Sequence, residues 1–183
     1  MVPFWSLKFF AGIRDAHIDL GHVGIYRALA SSLSLDEDDE TAIFDILQRK
    51  SQPDLREFAS ARRLPTKAAS GLSALMELNG DVSVLQRARQ TLDISELAIA
   101  EALAALEQAA SYLSAMDDPA PLHIDLAELR GYRYQTGLVF AAFVPGHGRE
   151  VARGGRFDGA GSARPATGFS ADVNELLRLG NSV

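Results

Sequence analysis

The feature that most constrains this chain is a change of hydrophobic period at Asp117-Asp118-Pro119-Ala120-Pro121. Before it, apolar residues recur every three to four positions, as amphipathic helices require. After it they alternate or run continuously, as half-buried and buried strands require. Two prolines within three residues cannot continue a helix, so the switch is abrupt. Helices gathered on one side of such a switch and strands on the other predict an α+β chain.

On the helical side, Ala16-His17-Ile18-Asp19-Leu20 reads as a strand that feeds, through Gly21-His22-Val23-Gly24, into a helix over Ile25 to Ala30. Residues 23–116 then form a block of short helices. Ser34-Leu35-Asp36-Glu37 has capping-box spacing, and Ser51, Thr66 and Asp81 are further candidate caps. Asp93 to Glu96 opens the longest helix, with Leu97, Leu103, Leu106, Ala110 and Leu113 on one face. The acidic run Asp36 to Glu40 reads as a solvated helix N-terminus helped by the dipole.

Residues 121–183 read as an antiparallel sheet with its own helix. Leu122, Ile124 and Leu126 alternate with polar neighbours, and Leu138 to Val144 is a buried-strand run. Pro145-Gly146-His147-Gly148 supplies a turn from which Arg149 to Arg153 returns. Ala166 to Ser170 is another strand, and Asp172 to Leu179 a terminal helix. With 183 residues and 47% hydrophobic content, the chain is expected to bury one core as a single domain over 1–183.

Composition excludes several chemistries. Without cysteine there is no disulfide framework, thiol nucleophile or thiolate metal site. Four scattered histidines give no metal-ligand spacing, so no metal is expected. Net charge is -6, with 11 cations against 18 anions in residues 1–120 and 7 against 6 in residues 121–183. Such a balance disfavours non-specific nucleic-acid binding. No apolar run reaches membrane-spanning length, and the apolar first thirteen residues carry only Lys8, in their middle, so a secretory signal is not expected and the cytoplasm is.

Three segments carry polar groups beyond what a sheet needs. Leu129 to Gly137 sets Tyr134 and Gln135 between two glycines, with Arg130 just before the first; the guanidinium suits a carboxylate, and the aromatic and amide groups suit a planar polar ligand. A hairpin edge with surface tyrosines is the alternative. Arg153-Gly154-Gly155-Arg156-Phe157-Asp158-Gly159 joins paired glycines, which let backbone approach a ligand, to flanking cations, though it also suits a turn. Gly168 to Leu176 runs a strand into a helix, presenting either amides to a ligand or a structural junction.

Taken in order, these segments resemble the C-terminal half of the catalytic core of class II histidyl-tRNA synthetases and, more closely, their paralogues, the regulatory subunits of ATP phosphoribosyltransferase. The synthetases typically carry RGLDYYTG, GGRYDG and GFSxGxER. The counterparts here are Arg130 to Gly137, Gly154 to Gly159 and Gly168 to Glu175, and His17 to Leu29 is similar to the strand and helix that precede the regulatory subunits' helical insertion. Two departures bear on activity. Glu175 stands where the family's ATP-clamping arginine belongs and Asp172 where its glycine belongs; two carboxylates would repel a triphosphate. Arg133 and Gln135 replace the family's aspartate and second tyrosine.

The resemblance implies a partial class II aminoacyl-tRNA synthetase-like antiparallel sheet with a helical insertion, and a non-catalytic subunit without cofactor. It implies a short-form ATP phosphoribosyltransferase catalytic subunit as partner, histidine as feedback effector, and histidine binding at Arg130, Tyr134, Gln135, Gly154 and Gly155. A divergent or truncated histidyl-tRNA synthetase core is the alternative. The family's first two motifs have no counterpart in these residues, so a truncated member is expected, with self-association through surface that the absent part covers.

Overall fold

The computed structural model describes residues 16–31, 33–117, 119–158 and 164–180. Expectations for residues 1–15 and for Gly159 lie outside the described residues. Strand β1, His17–His22, leads directly into helix α1, Val23–Ala30. The block that follows holds α2, Glu37–Gln48, α3, Gln52–Ala61, α4, Thr66–Glu77, a two-residue strand β2, Asn79–Gly80, α5, Val84–Thr91, and α6, Leu97–Ser114. Strands β3, Leu122–Asp125, β4, Gln135–Phe143, β5, Glu150–Asp158, and β6, Pro165–Ala171, precede the last helix α7, Val173–Gly180.

The α+β class is as expected, but the sheet is not confined to residues after 121. Its order is β2-β3-β1-β4-β5-β6, so β1, from before the helical block, lies in its interior. There β1 runs parallel to β3, with Ile18 opposite Leu122, and antiparallel to β4, with Leu20 opposite Phe140. Every other pairing is antiparallel. A strand separated from its partners by the whole helical block can pair in parallel because the block itself serves as the crossover. Gly21 and His22 belong to the strand, paired with Val139 and Leu138, instead of forming a loop.

One hydrophobic cluster joins both halves. Ile18 and Leu20 of β1, Val23, Ile25 and Tyr26 of α1, and Leu103 and Leu106 of α6 are all buried in it. The stripe of α6 is Ile99, Ala102, Leu103, Leu106 and Ala110. Leu97 is 69% exposed, contrary to the expected face, because its spacing to Leu103 falls off the i, i+3, i+4 pattern.

Capping also differs from expectation. Asp36, not Ser34, caps α2 by accepting the Asp39 N–H at 2.8 Å. Thr66 is the first residue of α4 and Pro65 its N-cap; Ser83 precedes α5, with Asp81 Oδ1 accepting the Ser83 N–H at 2.8 Å. Ser51 is the N-cap of α3 without a side-chain cap bond. Sequence spacing names a cap only to within the residues able to adopt extended backbone before the first turn.

Candidate functional site

The connection between β3 and β4 builds the site. Asp125 Oδ1 accepts the Ala127 N–H at 2.9 Å, which turns the chain out of β3, and Leu126 N–H bonds to Leu78 O at 3.1 Å. Leu126 and Leu129 are buried in the core. At Gly131 the backbone takes φ +75°, a conformation that favours glycine, and Gly131 O accepts the Gln135 N–H at 2.8 Å to start β4. The intervening Tyr132 inserts between Tyr26 and Phe44, with ring centres at 5.5 and 5.3 Å.

Polar contacts tie the same connection to the helical block. Gln48 Nε2 donates to Ala127 O at 2.7 Å, and Arg27 Nη2 donates to Tyr132 O at 2.6 Å. Lys50 pairs with Asp125 at 2.9 Å, and Arg133 donates to Thr41 Oγ1 at 3.0 Å. The same connection carries Arg130. The Arg130 Nε donates to both oxygens of Glu128 at 2.9 and 3.0 Å, Nη2 reaches Glu128 at 2.5 Å, and Nη1 reaches Glu150 at 2.5 Å. Glu128 raises the Arg130 pKa above its ordinary value, so the guanidinium is a permanent charge.

Arg130, Tyr134, Gln135 and Gly154, four of the five expected site residues, line one cavity of about 170 Å³. That is smaller than the ~300–1,000 Å³ of drug-sized sites and suits a small metabolite. Gly155, the fifth, lies against Gln135: a Cβ there would stand 2.5 Å from Gln135 Oε1 and from Leu138 O, so only glycine admits this approach. Gln135 is buried, and its Oε1, packed against Gly155, has no hydrogen-bond partner. The β4–β5 register shifts between Gln135 and Val139. Tyr134 lies over Gly131 and is exposed.

The β6–α7 junction is built differently. Asp172 caps α7 by accepting the Glu175 N–H at 3.1 Å. Glu175 pairs with Arg149 at 2.5 Å and with Arg178 at 3.1 Å. Carboxylates therefore occupy the helix N-terminus, and they already have their cations.

Sequence spacing did not find the two carboxylates on Arg130. Glu128 was visible only as an acid two residues away, and Glu150 arrives by strand pairing, opposite Phe143. Nor did it bring histidines together. His123 Nδ1 stands 3.4 Å from Asp19, and His17 stacks on Phe143 at 5.5 Å. Burial raises the Asp19 carboxyl, with His123 and His17 pulling the other way. His22 Nδ1 accepts the Gly24 N–H at 3.1 Å as the cap of α1, and burial pushes its pKa down to about 4. Among the described residues no group of three or more metal-ligating side chains converges, and no helix is long and apolar enough to cross a membrane.

The mixed sheet, the inserted helices and the glycine-walled polar cavity define a class II aminoacyl-tRNA synthetase-like core. A family model for histidyl-tRNA synthetase matches residues 4–176, and the chain belongs to that family. Within it, the ATP phosphoribosyltransferase regulatory subunit of Thioalkalivibrio sulfidiphilus is 48% identical over 172 residues, covering 92% of this chain and 44% of that protein. The chain thus spans less than half the length of the curated relatives it matches. A Bacillus halodurans structure described as an ATP phosphoribosyltransferase regulatory subunit/histidyl-tRNA synthetase shares 26% identity at a TM-score of 0.78, covering 97% of this chain and 47% of that one. The Thermotoga maritima ATP phosphoribosyl transferase (HisG:HisZ) complex matches at a TM-score of 0.63 and 18% identity, covering 85% and 53%, a likeness of fold.

Proposed function

We propose that the chain forms part of a non-catalytic regulatory subunit of ATP phosphoribosyltransferase, acting in histidine biosynthesis. In this reading it assembles in the cytoplasm with a short-form catalytic subunit, which depends on it for activity, and it carries the histidine site for feedback inhibition. Its residues contribute a partial class II core over 1–183, in which β1 and the strands of region 121–183 share one sheet with the helical block 23–116 inserted between them, and they associate with further protein, a second copy included. The name of the relative at 48% identity supports the subunit, and the Thermotoga complex supports a catalytic partner.

One observation carries the site assignment. The amino-acid side keeps a buried, unpartnered acceptor at Gln135 beside Arg130, while the nucleotide side carries the carboxylates Asp172 and Glu175, which would repel a triphosphate. Histidine would place its carboxylate at Arg130 and a ring N–H at Gln135, with Tyr134 at the rim and Gly154 and Gly155 as the wall. Preferential binding of histidine to one of two assembly states would then set the inhibition. Reconstitution tests this: adding the chain's subunit to the catalytic subunit should give activity that histidine suppresses, with no histidine-dependent ATP/pyrophosphate exchange. Clear exchange activity would favour a synthetase instead.

A further inference from the structure

Arg130, Glu150 and Arg153 line both the small cavity and a second groove of about 670 Å³ beside it, so they form the partition between the two. Glu150 is the bridge: it accepts from Arg130 Nη1 at 2.5 Å and from Arg153 Nη1 at 3.0 Å. Glu128 holds the side-on fork of the same Arg130 guanidinium, whose carbon lies 5.6 Å from the centre of the Phe143 ring.

The two carboxylates are not equivalent. The Glu128 side chain is 6% exposed and Arg130 is its only cation among the described contacts. Separating that pair would leave a buried charge uncompensated, a far costlier step than loosening a pair that water reaches. Glu150 is 20% exposed and keeps Arg153 when it leaves Arg130. An incoming α-carboxylate has the charge and shape of the group Glu150 already presents.

Resting on the reading of the cavity as an amino-acid site, we infer that Glu150 is a gate that stands in for the ligand's carboxylate on Arg130. A ligand carboxylate displaces it wholly onto Arg153 and joins the two spaces, while Glu128 and Phe143 keep the guanidinium in place. Glu128 is thus a positioning residue. A ligand with the ring and amine but no carboxylate has nothing to exchange for Glu150 at Arg130. The closed gate lowers apparent affinity by the fraction of molecules in which Arg130 is available.

Calorimetric titration of L-histidine and of histamine, which lacks the carboxylate, into the chain assembled with the catalytic subunit tests the gate. Glu150→Gln should tighten histidine by about ten-fold and leave histamine within about two-fold, because only the carboxylate competes with Glu150. Glu150→Ala should behave alike, which keeps the test open if one variant folds poorly. Wild-type binding of histidine that neither substitution tightens, or an equal gain for histamine, would overturn the gate alone. No histidine binding by any of the proteins would overturn the cavity reading and the gate with it.

Discussion

Two arginine clusters on this sheet use the same ion pairs to opposite ends. In the connection before β4, Arg130 is pinned by a buried carboxylate and stands beside an unpartnered amide, so its pairs fix a geometry around an empty volume. At the β6–α7 junction, Arg149 and Arg178 are 61% and 76% exposed and converge on Glu175, where the pairs cancel charge. Exposure of the cation decides the difference, since Glu128 and Glu175 are both largely buried at 6% and 12%: Arg130 is 37% exposed and held in shape, whereas pairs whose cation water reaches freely add less beyond neutrality. On the proposed reading, a chain with both features would bind an amino acid without activating it.

The comparison breaks most readily at its packed side. Tyr132→Ala would empty the space between Tyr26 and Phe44 and cost about 3–5 kcal/mol, as large-to-small aromatic substitutions in cores do. Chemical denaturation should show that loss, together with a weakened histidine response, since the ring anchors the connection carrying Arg130. Gly155→Val should cost about 1–3 kcal/mol, because its Cβ would meet backbone at Leu138. It should also push Gln135 from its place; unchanged histidine affinity would argue against Gln135 as a ligand contact.

A smaller effect comes from the cap between β1 and α1. The folded-state pKa of His22 lies near 4, below its ordinary 6.5, because burial disfavours the charged ring. Its stabilising effect is therefore whole above pH 6.5, declines as pH falls from 6.5 to 4, and is gone below. The effect is at most about 3 kcal/mol and is reduced by solvent reaching the half-buried ring. His22→Asn, which caps without titrating, should flatten this part of the pH profile in melts between pH 7 and 5. Smallest of all, Arg149→Ala should shift stability by less than about 1 kcal/mol and histidine response by less than two-fold. A large loss of histidine response there would move the site to the junction.

Much of this contrast was legible in the chain itself. The change of period at Asp117 to Pro121 separated helices from most strands, and the glycine-bearing segments brought Arg130, Tyr134, Gln135 and Gly154 to one cavity with Gly155 behind it. What escaped depends on contacts distant in sequence. The interior position of β1, its parallel register with β3, and the arrival of Glu150 at Arg130 are set by pairing across the sheet, which no local spacing encodes. Leu97 and Ser34 misled for the opposite reason, since composition suited them to roles that their neighbours filled.

The central claim is that Arg130 anchors an effector in this cavity, and inhibition curves for Arg130→Ala and Arg130→Lys in the assembled ATP phosphoribosyltransferase test it most directly. Loss of a charge-assisted contact of about 2–5 kcal/mol predicts that half-inhibition, measured against each variant's own uninhibited rate, needs at least thirty-fold more histidine for Arg130→Ala. Arg130→Lys should fall between, having charge without the planar fork. Unchanged inhibition curves accompanied only by a lower melting temperature would contradict the claim and leave Arg130 as a brace for Glu128 and Glu150.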